Sequence, residues 1–131
     1  MKLLLDTHIL LWAAAGTLPK KAEKLIKDEG NTFLFSSASI WEVVIKNGLG
    51  RPSFQIDTRA LYDGLLGNGY MEVAVNGHHS LMTGILPMIH KDPFDRILVA
   101  QALHEKATLV TCDKVLVEYP CPVVYIEPVS K

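Results

Sequence analysis

Residues 1–16 read MKLLLDTHILLWAAAG, an apolar stretch with an acid, Asp6, near its centre. Two readings compete for it. In one, Lys2 opens an export signal, the leucines form its apolar body, and Ala13, Ala14 and Ala15 mark a cleavage site. In the other, Lys2 to Leu5 is a short strand ending at Asp6, and a helix starts near Thr7. A charge at the centre of an inserting segment costs about 2.5–3.5 kcal/mol on insertion scales. Only three leucines run unbroken before that charge. A strand buried on both faces reads as just such a continuous apolar run. We therefore read a strand followed by a helix.

Working outward, Gly16 and Pro19 close that helix and open a second, in which Ala22, Leu25 and Ile26 face inward. Thr32 to Ser36 (TFLFS) reads as a second buried strand and SSASIWEVVIKNGLG as the helix after it. Asp57 or Thr58 caps a fourth helix, Met71 to Val75 (MEVAV) is a third strand, and a short helix runs from His78 to about Gly84. HKDPFDRILVAQALHEKA is the clearest helix, with Asp92 as N-cap and Pro93 at the first helical position. TLVTC and PVVYI supply the fourth and fifth strands. Strands alternating with helices predict a single α/β domain over residues 1–131, with a mostly parallel sheet of about five strands covered on both faces.

Composition agrees. The 131 residues are 49% hydrophobic, with a mean hydropathy of +0.21, enough to build a core and too apolar for a disordered chain. Charges and prolines interrupt every apolar run before it nears the ~20 residues of a membrane span. Net charge is −1, so a nucleic-acid ligand would have to be held by a local patch or by bound metal ions. Cys112 and Cys121, with no second pair, suit reduced thiols in a cytoplasmic protein better than a disulfide scaffold or a zinc site.

In a parallel sheet, ligands bind beyond the carboxyl ends of the strands. Asp6 follows the first strand and Asp113 the fourth. Glu42 lies one turn into the helix after the second strand, and Asp92 and Asp95 share the first turn of the helix before the fourth. Each has an ordinary structural reading: Glu42 in a capping box with Ser39 and an ion pair with Lys46, Asp92 as a cap, Asp95 favoured by the helix dipole. As a set they do not. Two carboxylates about 4 Å apart repel by roughly 4 kcal/mol at an effective dielectric near 20, so several together need a cation or raised pKa values. Oxygen donors without histidine or cysteine point to Mg2+ or Mn2+, and such an ion suits phosphodiester hydrolysis. Ser37, Ser39 and Thr111 could bond these carboxylates, though capping or buried-hydroxyl roles fit each as well. Arg96 is expected to pair with a neighbouring acid, His8 to pack near the site, and none of the five histidines to ligate metal.

At these residues the sequence resembles the PIN-domain ribonucleases, specifically the VapC-like toxins of bacterial type II toxin–antitoxin systems. The matching segments are LLLDTHILLW, SSASIWEVVIKNGLGR, LPMIHKDPFDRILVAQA and LVTCD, in family order from the first strand to Asp113. Carried over residue by residue, the family's acidic constellation falls on Asp6, Glu42, Asp95 and Asp113, as both catalytic and metal-holding residues. The resemblance implies a compact α/β domain, Mg2+ or Mn2+ dependence and endonucleolytic cleavage of RNA. It also implies inhibition by a small cognate antitoxin docked over the acidic groove, commonly with homodimerisation. One departure is Ile89, where many relatives carry a second histidine before His90.

Two other readings use the same acids. A catalytically silent PIN-like module would bind or regulate without cleaving. A receiver-type signalling domain also gathers acids around Mg2+, but it requires paired acids after the first strand, a phospho-acceptor after the third and a late lysine. Here Asp6 stands alone, Asp57 follows an unconvincing strand, and Lys114 lies beyond an acid. A haloacid-dehalogenase-like phosphatase needs a second Asp where the chain has His8, and that reading fails.

Overall fold

The leucine run Leu3–Leu5 is the centre of the molecule in the computed structural model, which describes residues 1–128. Strand β1 (Lys2–Leu5) is flanked by β2 (Thr32–Ser36) and β4 (Thr108–Thr111), with β3 (Met71–Val73) and β5 (Val123–Tyr125) outside them. The order is β3-β2-β1-β4-β5, and every pairing is parallel. Six helices intervene: α1 (Thr7–Ala15), α2 (Lys20–Lys27), α3 (Ser37–Gly48), α4 (Thr58–Gly67), α5 (Gly77–Thr83) and α6 (Pro93–His104). A 3₁₀ turn over Lys114–Glu118 links β4 to β5.

Strand alternation explains why β1 is apolar throughout. Leu4 packs on one face with Leu34, Leu98, Val99 and Leu109. Leu3 and Leu5 pack on the other with Ile9, Phe35, Val43 and Val110. Helix α6 covers the first face and α1 and α3 the second, so neither side of the strand tolerates a charge. The chain moves outward from β1 through β2 to β3, then returns to β4 on the opposite side. That reversal leaves a crevice at the carboxyl ends of β1, β2 and β4, where this topology places ligands.

The predicted elements are present, with shifted ends. The third strand stops at Val73 rather than Val75 because its partner β2 turns into α3 after Ser36, the last paired residue. The Val75 N–H donates instead to Ser37 Oγ at 3.1 Å. Helix α5 begins at Gly77 because Asn76 and His79 form a reciprocal capping box, which the sequence reading missed. No helix among the described residues is long and apolar enough to cross a membrane.

Candidate active site

Asp6 is the first residue past β1 and the N-cap of α1, a double position that leaves it 3% exposed. Its Oδ1 accepts the Ile9 N–H at 2.9 Å; its Oδ2 accepts the Thr111 hydroxyl and the Cys112 N–H, the latter at 3.4 Å. Burial pushes its carboxyl above the usual range, opposed by the bonds from Thr111 and Ile9 and by the charge of His8. Thr111 also accepts the Asp113 N–H at 3.0 Å, so one β4 hydroxyl ties both strand-end acids together. Asp113 in turn caps the 3₁₀ turn, its Oδ1 accepting the Val115 N–H at 3.0 Å.

Glu42 reaches the same crevice from α3. The cap of that helix is Ser36, which accepts the Ala38 N–H at 3.0 Å, so the expected Ser39–Glu42 capping box does not exist. Ser36 caps because the strand ends there and the helix starts at once. Glu42 is instead buried beside α1, where the Thr7 hydroxyl donates to its Oε1 at 2.7 Å and Ser39 Oγ lies 3.0 Å from that hydroxyl. Lys46 pairs with its other oxygen at 2.8 Å, as the i,i+4 spacing predicts.

Helix α6 brings the remaining acids. Asp92 is the N-cap, its Oδ1 accepting the Phe94 N–H at 2.9 Å, with Pro93 behind it as predicted. Asp95, on the first turn, is pushed up to about 7, mainly by burial, then by the charges of Asp92, Asp6 and Glu42, with His90 opposing. Donor atoms of Asp95, Asp113 and His90 lie within 4.8 Å of one another. Asp6 and Glu42 fall outside that tight group, although both charges act on Asp95. The Cys112 thiol records the same field: burial first, then Asp6, Asp113 and Asp95, push it up to about 12.

A divalent cation fits this arrangement. The acids carry more negative charge than Lys46 balances; burial raises the carboxyls of Asp6 and Asp95, and for Asp95 the neighbouring acids add to that rise. Their oxygens do not close into an all-protein cage, which suits a small hard ion that retains part of its hydration. One expectation is corrected. Arg96 pairs with no acid; it donates to the carbonyls of Thr83 and Pro87 and to the Tyr119 hydroxyl, because the loop after α5 passes in front of it. His8 is exposed. His90, given no role from sequence, touches both Asp95 and Asp113, at 3.2 and 2.9 Å. Its position two residues before the Asp92 cap was the available signal, since a histidine there can accept the cap's own N–H.

Asp57 caps α4 by accepting the Ala60 N–H, and no acid stands between β3 and α5, so the receiver-type arrangement is absent.

Comparison with known proteins gives a consistent picture. The family model of the PIN domain matches residues 3–120. No curated protein matches the sequence significantly. Among solved structures, the chain is similar to one in VapBC2 from Rickettsia felis bound to a promoter DNA fragment, at 20% identity and a TM-score of 0.71, covering 95% of this chain and 98% of that one. DNA-bound VapBC from Salmonella typhimurium matches at 15% identity and 0.70, with the same coverages. A toxin–antitoxin complex from Klebsiella pneumoniae matches at 19% and 0.66, covering 92% and 94%.

Proposed function

The chain belongs to the PIN-domain family, and from that we propose that it is the toxin of a type II toxin–antitoxin system, a Mg2+- or Mn2+-dependent endoribonuclease. The observation that carries this reading is the convergence of carboxylates from β1, α3, α6 and β4 on one crevice with too little cationic charge to balance them. Asp6, Glu42, Asp95 and Asp113 are the catalytic and metal-holding set, within one nuclease domain over residues 1–131.

A bound divalent ion would polarise a phosphate oxygen, lower the pKa of the attacking water and neutralise charge in the transition state. The protein's own part is positional. Thr111 holds Asp6 and the Asp113 backbone in register, and Thr7 and Lys46 hold the two oxygens of Glu42. Asp6, Asp95 and Asp113 would hold such an ion, with Glu42 sharing it or orienting the attacking water.

A protein partner is supported by the surface beside the acids. Trp41 is 62% exposed and sits edge-on to Phe94, and the two line an apolar groove of about 530 Å³ with Ile45, Val75 and Ile97. Leu81, Ile85 and Met88 are also exposed nearby in sequence. Apolar surface of this kind marks an interaction site, which suits a cognate antitoxin and a homodimer. RNA as substrate and two free thiols suit a cytoplasmic location.

The test is RNA cleavage by purified protein with Mg2+ or Mn2+, with and without chelator. Cleavage by the wild type, lost in Asp6→Asn and Asp95→Asn, is the expected result. Cleavage that survives both substitutions sinks the assigned site. Protein that binds Mn2+ but leaves RNA intact is the silent module.

A further inference from the structure

His90 stands in the irregular segment between α5 and α6, outside the acidic set, yet it touches two members of that set. Spacing alone makes His90, Asp95 and Asp113 look like three ligands of one ion. The other side of the ring says otherwise. Its Nδ1 accepts the Asp92 backbone N–H at 3.1 Å, so in the neutral ring the proton sits on Nε2. That is the nitrogen 2.9 Å from Asp113 Oδ2 and 3.2 Å from Asp95 Oδ2. A metal-ligating histidine shows the reverse arrangement, with the bare nitrogen on the ion and the other ring N–H donated away. His90 is built as a donor to Asp113, with the Asp95 carboxylate alongside the same nitrogen.

The backbone that carries this ring is fixed as firmly. The His90 N–H donates to Tyr119 Oη at 2.8 Å, and that hydroxyl donates back to the His90 carbonyl at 3.4 Å. Arg96 donates to Tyr119 Oη at 3.1 Å, to the Pro87 carbonyl at 3.0 Å and to the Thr83 carbonyl at 2.7 Å. One guanidinium therefore holds the end of α5, the loop after it and the tyrosine that holds His90. None of these groups reaches the crevice except the imidazole.

We propose that His90 is a positioning residue of the nuclease site. Locked with its proton on Nε2 by Asp92, and held by Tyr119 and Arg96, it keeps the Asp95 and Asp113 carboxylates converged before a divalent ion arrives. An N–H bonded to Asp113 with its nitrogen 3.2 Å from Asp95 places positive partial charge between the two carboxylates and partly offsets their repulsion, so the pair need not spread apart in the metal-free protein and be gathered again on binding. The inference rests on the metal-dependent reading of the acids given above.

The experiment is Mn2+ binding followed by electron paramagnetic resonance on wild type, His90→Ala, His90→Gln and Tyr119→Phe, with circular dichroism to confirm folding. Nitrogen-15 NMR of the metal-free wild type reads the tautomer directly. Loss of an outer-shell partner typically costs about 10–100-fold in metal affinity, so His90→Ala should weaken Mn2+ binding by roughly tenfold or more. His90→Gln keeps an N–H at the Nε2 position and should recover part of that loss, and Tyr119→Phe should fall between wild type and His90→Ala. The NMR spectrum should show a protonated Nε2 and a bare Nδ1. Wild-type affinity in His90→Ala, or a proton on Nδ1, overturns the positioning role and leaves the nuclease reading standing. A wild type that binds no Mn2+, or binds it equally in Asp95→Asn, overturns the nuclease reading and this inference with it.

Discussion

The two ends of α6 hold carboxylates in opposite circumstances. At its start, Asp95 is partly buried among Asp92, Asp6 and Glu42, and its carboxyl is pushed up to about 7. At its end, Glu105 accepts from His104 Nδ1 at 2.9 Å and lies 3.3 Å from His79 Nε2, and those partners pull its carboxyl below the usual range. Each end has a histidine whose Nδ1 accepts a backbone N–H, from Asp92 for His90 and from Asn76 for His79. The histidine geometry is shared, and only the balance of charge differs. An acid whose neighbours already satisfy it suits a structural role, whereas a partly buried acid among other acids suits the cation-holding role proposed above.

The sharpest way to break this comparison is to neutralise each acid in turn. Asp95→Asn should abolish metal-dependent cleavage, by more than about a hundredfold if the ion supplies several kcal/mol of transition-state stabilisation. Without metal the same variant should melt higher than wild type at pH 8, because a carboxylate repelled by its neighbours is gone. Activity lost together with stability would mean that Asp95 is structural, like Glu105.

The pH dependence of the metal-free protein comes next in size. Asp95 has a folded pKa of about 7 against an ordinary 3.8, so between those values the native state keeps a proton that the unfolded chain has released. This group's contribution to stability is therefore complete below about pH 4 and lost as pH rises through 7. The difference between those two values corresponds to something on the order of 4 kcal/mol. Denaturant melts at pH 5 and pH 8 should show the decline in wild type and a much weaker one in Asp95→Asn. Saturating Mg2+ should flatten it in wild type, because the ion takes the place of the proton. Glu105, with its lowered pKa, works in the opposite direction: its contribution is present above the ordinary carboxylate range and lost as pH falls.

Thr111→Val probes the same end of the molecule more gently. It removes the hydroxyl that bonds Asp6 Oδ2 and receives the Asp113 N–H, without touching an acid. Metal affinity should fall by roughly tenfold, as expected for an outer-shell partner, and stability by about 1–3 kcal/mol for the buried groups left unpaired. Calorimetric Mn2+ titration and thermal melts measure the two effects separately.

This division between charge and geometry also explains what the sequence could show. Asp6 and Asp113 were legible because each ends an apolar strand, and Asp92 because Pro93 follows it. The topology brings Asp6, Glu42 and Asp113 to the same sheet end as Asp95, one turn after that cap. The partners were not legible. Thr7 bonds Glu42 across 35 residues, and Arg96 holds Thr83 and Pro87 through carbonyls, which carry no side-chain identity. Ser36, the last strand residue as expected, displaced Ser39 as the α3 cap because the helix starts at Ser37, directly after the strand, three residues earlier than a Ser39 cap implies. Local spacing locates groups on elements, but it does not say which groups on different elements come into contact.

The smallest expected effect lies at the far end of α6 and is the control for the rest. Glu105 is 30% exposed in its side chain and its two partners are histidines, so the cluster is worth little more than a surface ion pair, about 0–1 kcal/mol. Glu105→Gln retains an acceptor for the His79 N–H, whose buried ring needs one. The variant should lower the melting temperature by only a few degrees and leave cleavage and Mn2+ affinity at wild-type levels. A large loss of cleavage in Glu105→Gln would mean that the two ends of α6 are coupled through the helix. The distinction drawn from their charge balance would then fail, even if every Asp95 result came out as expected.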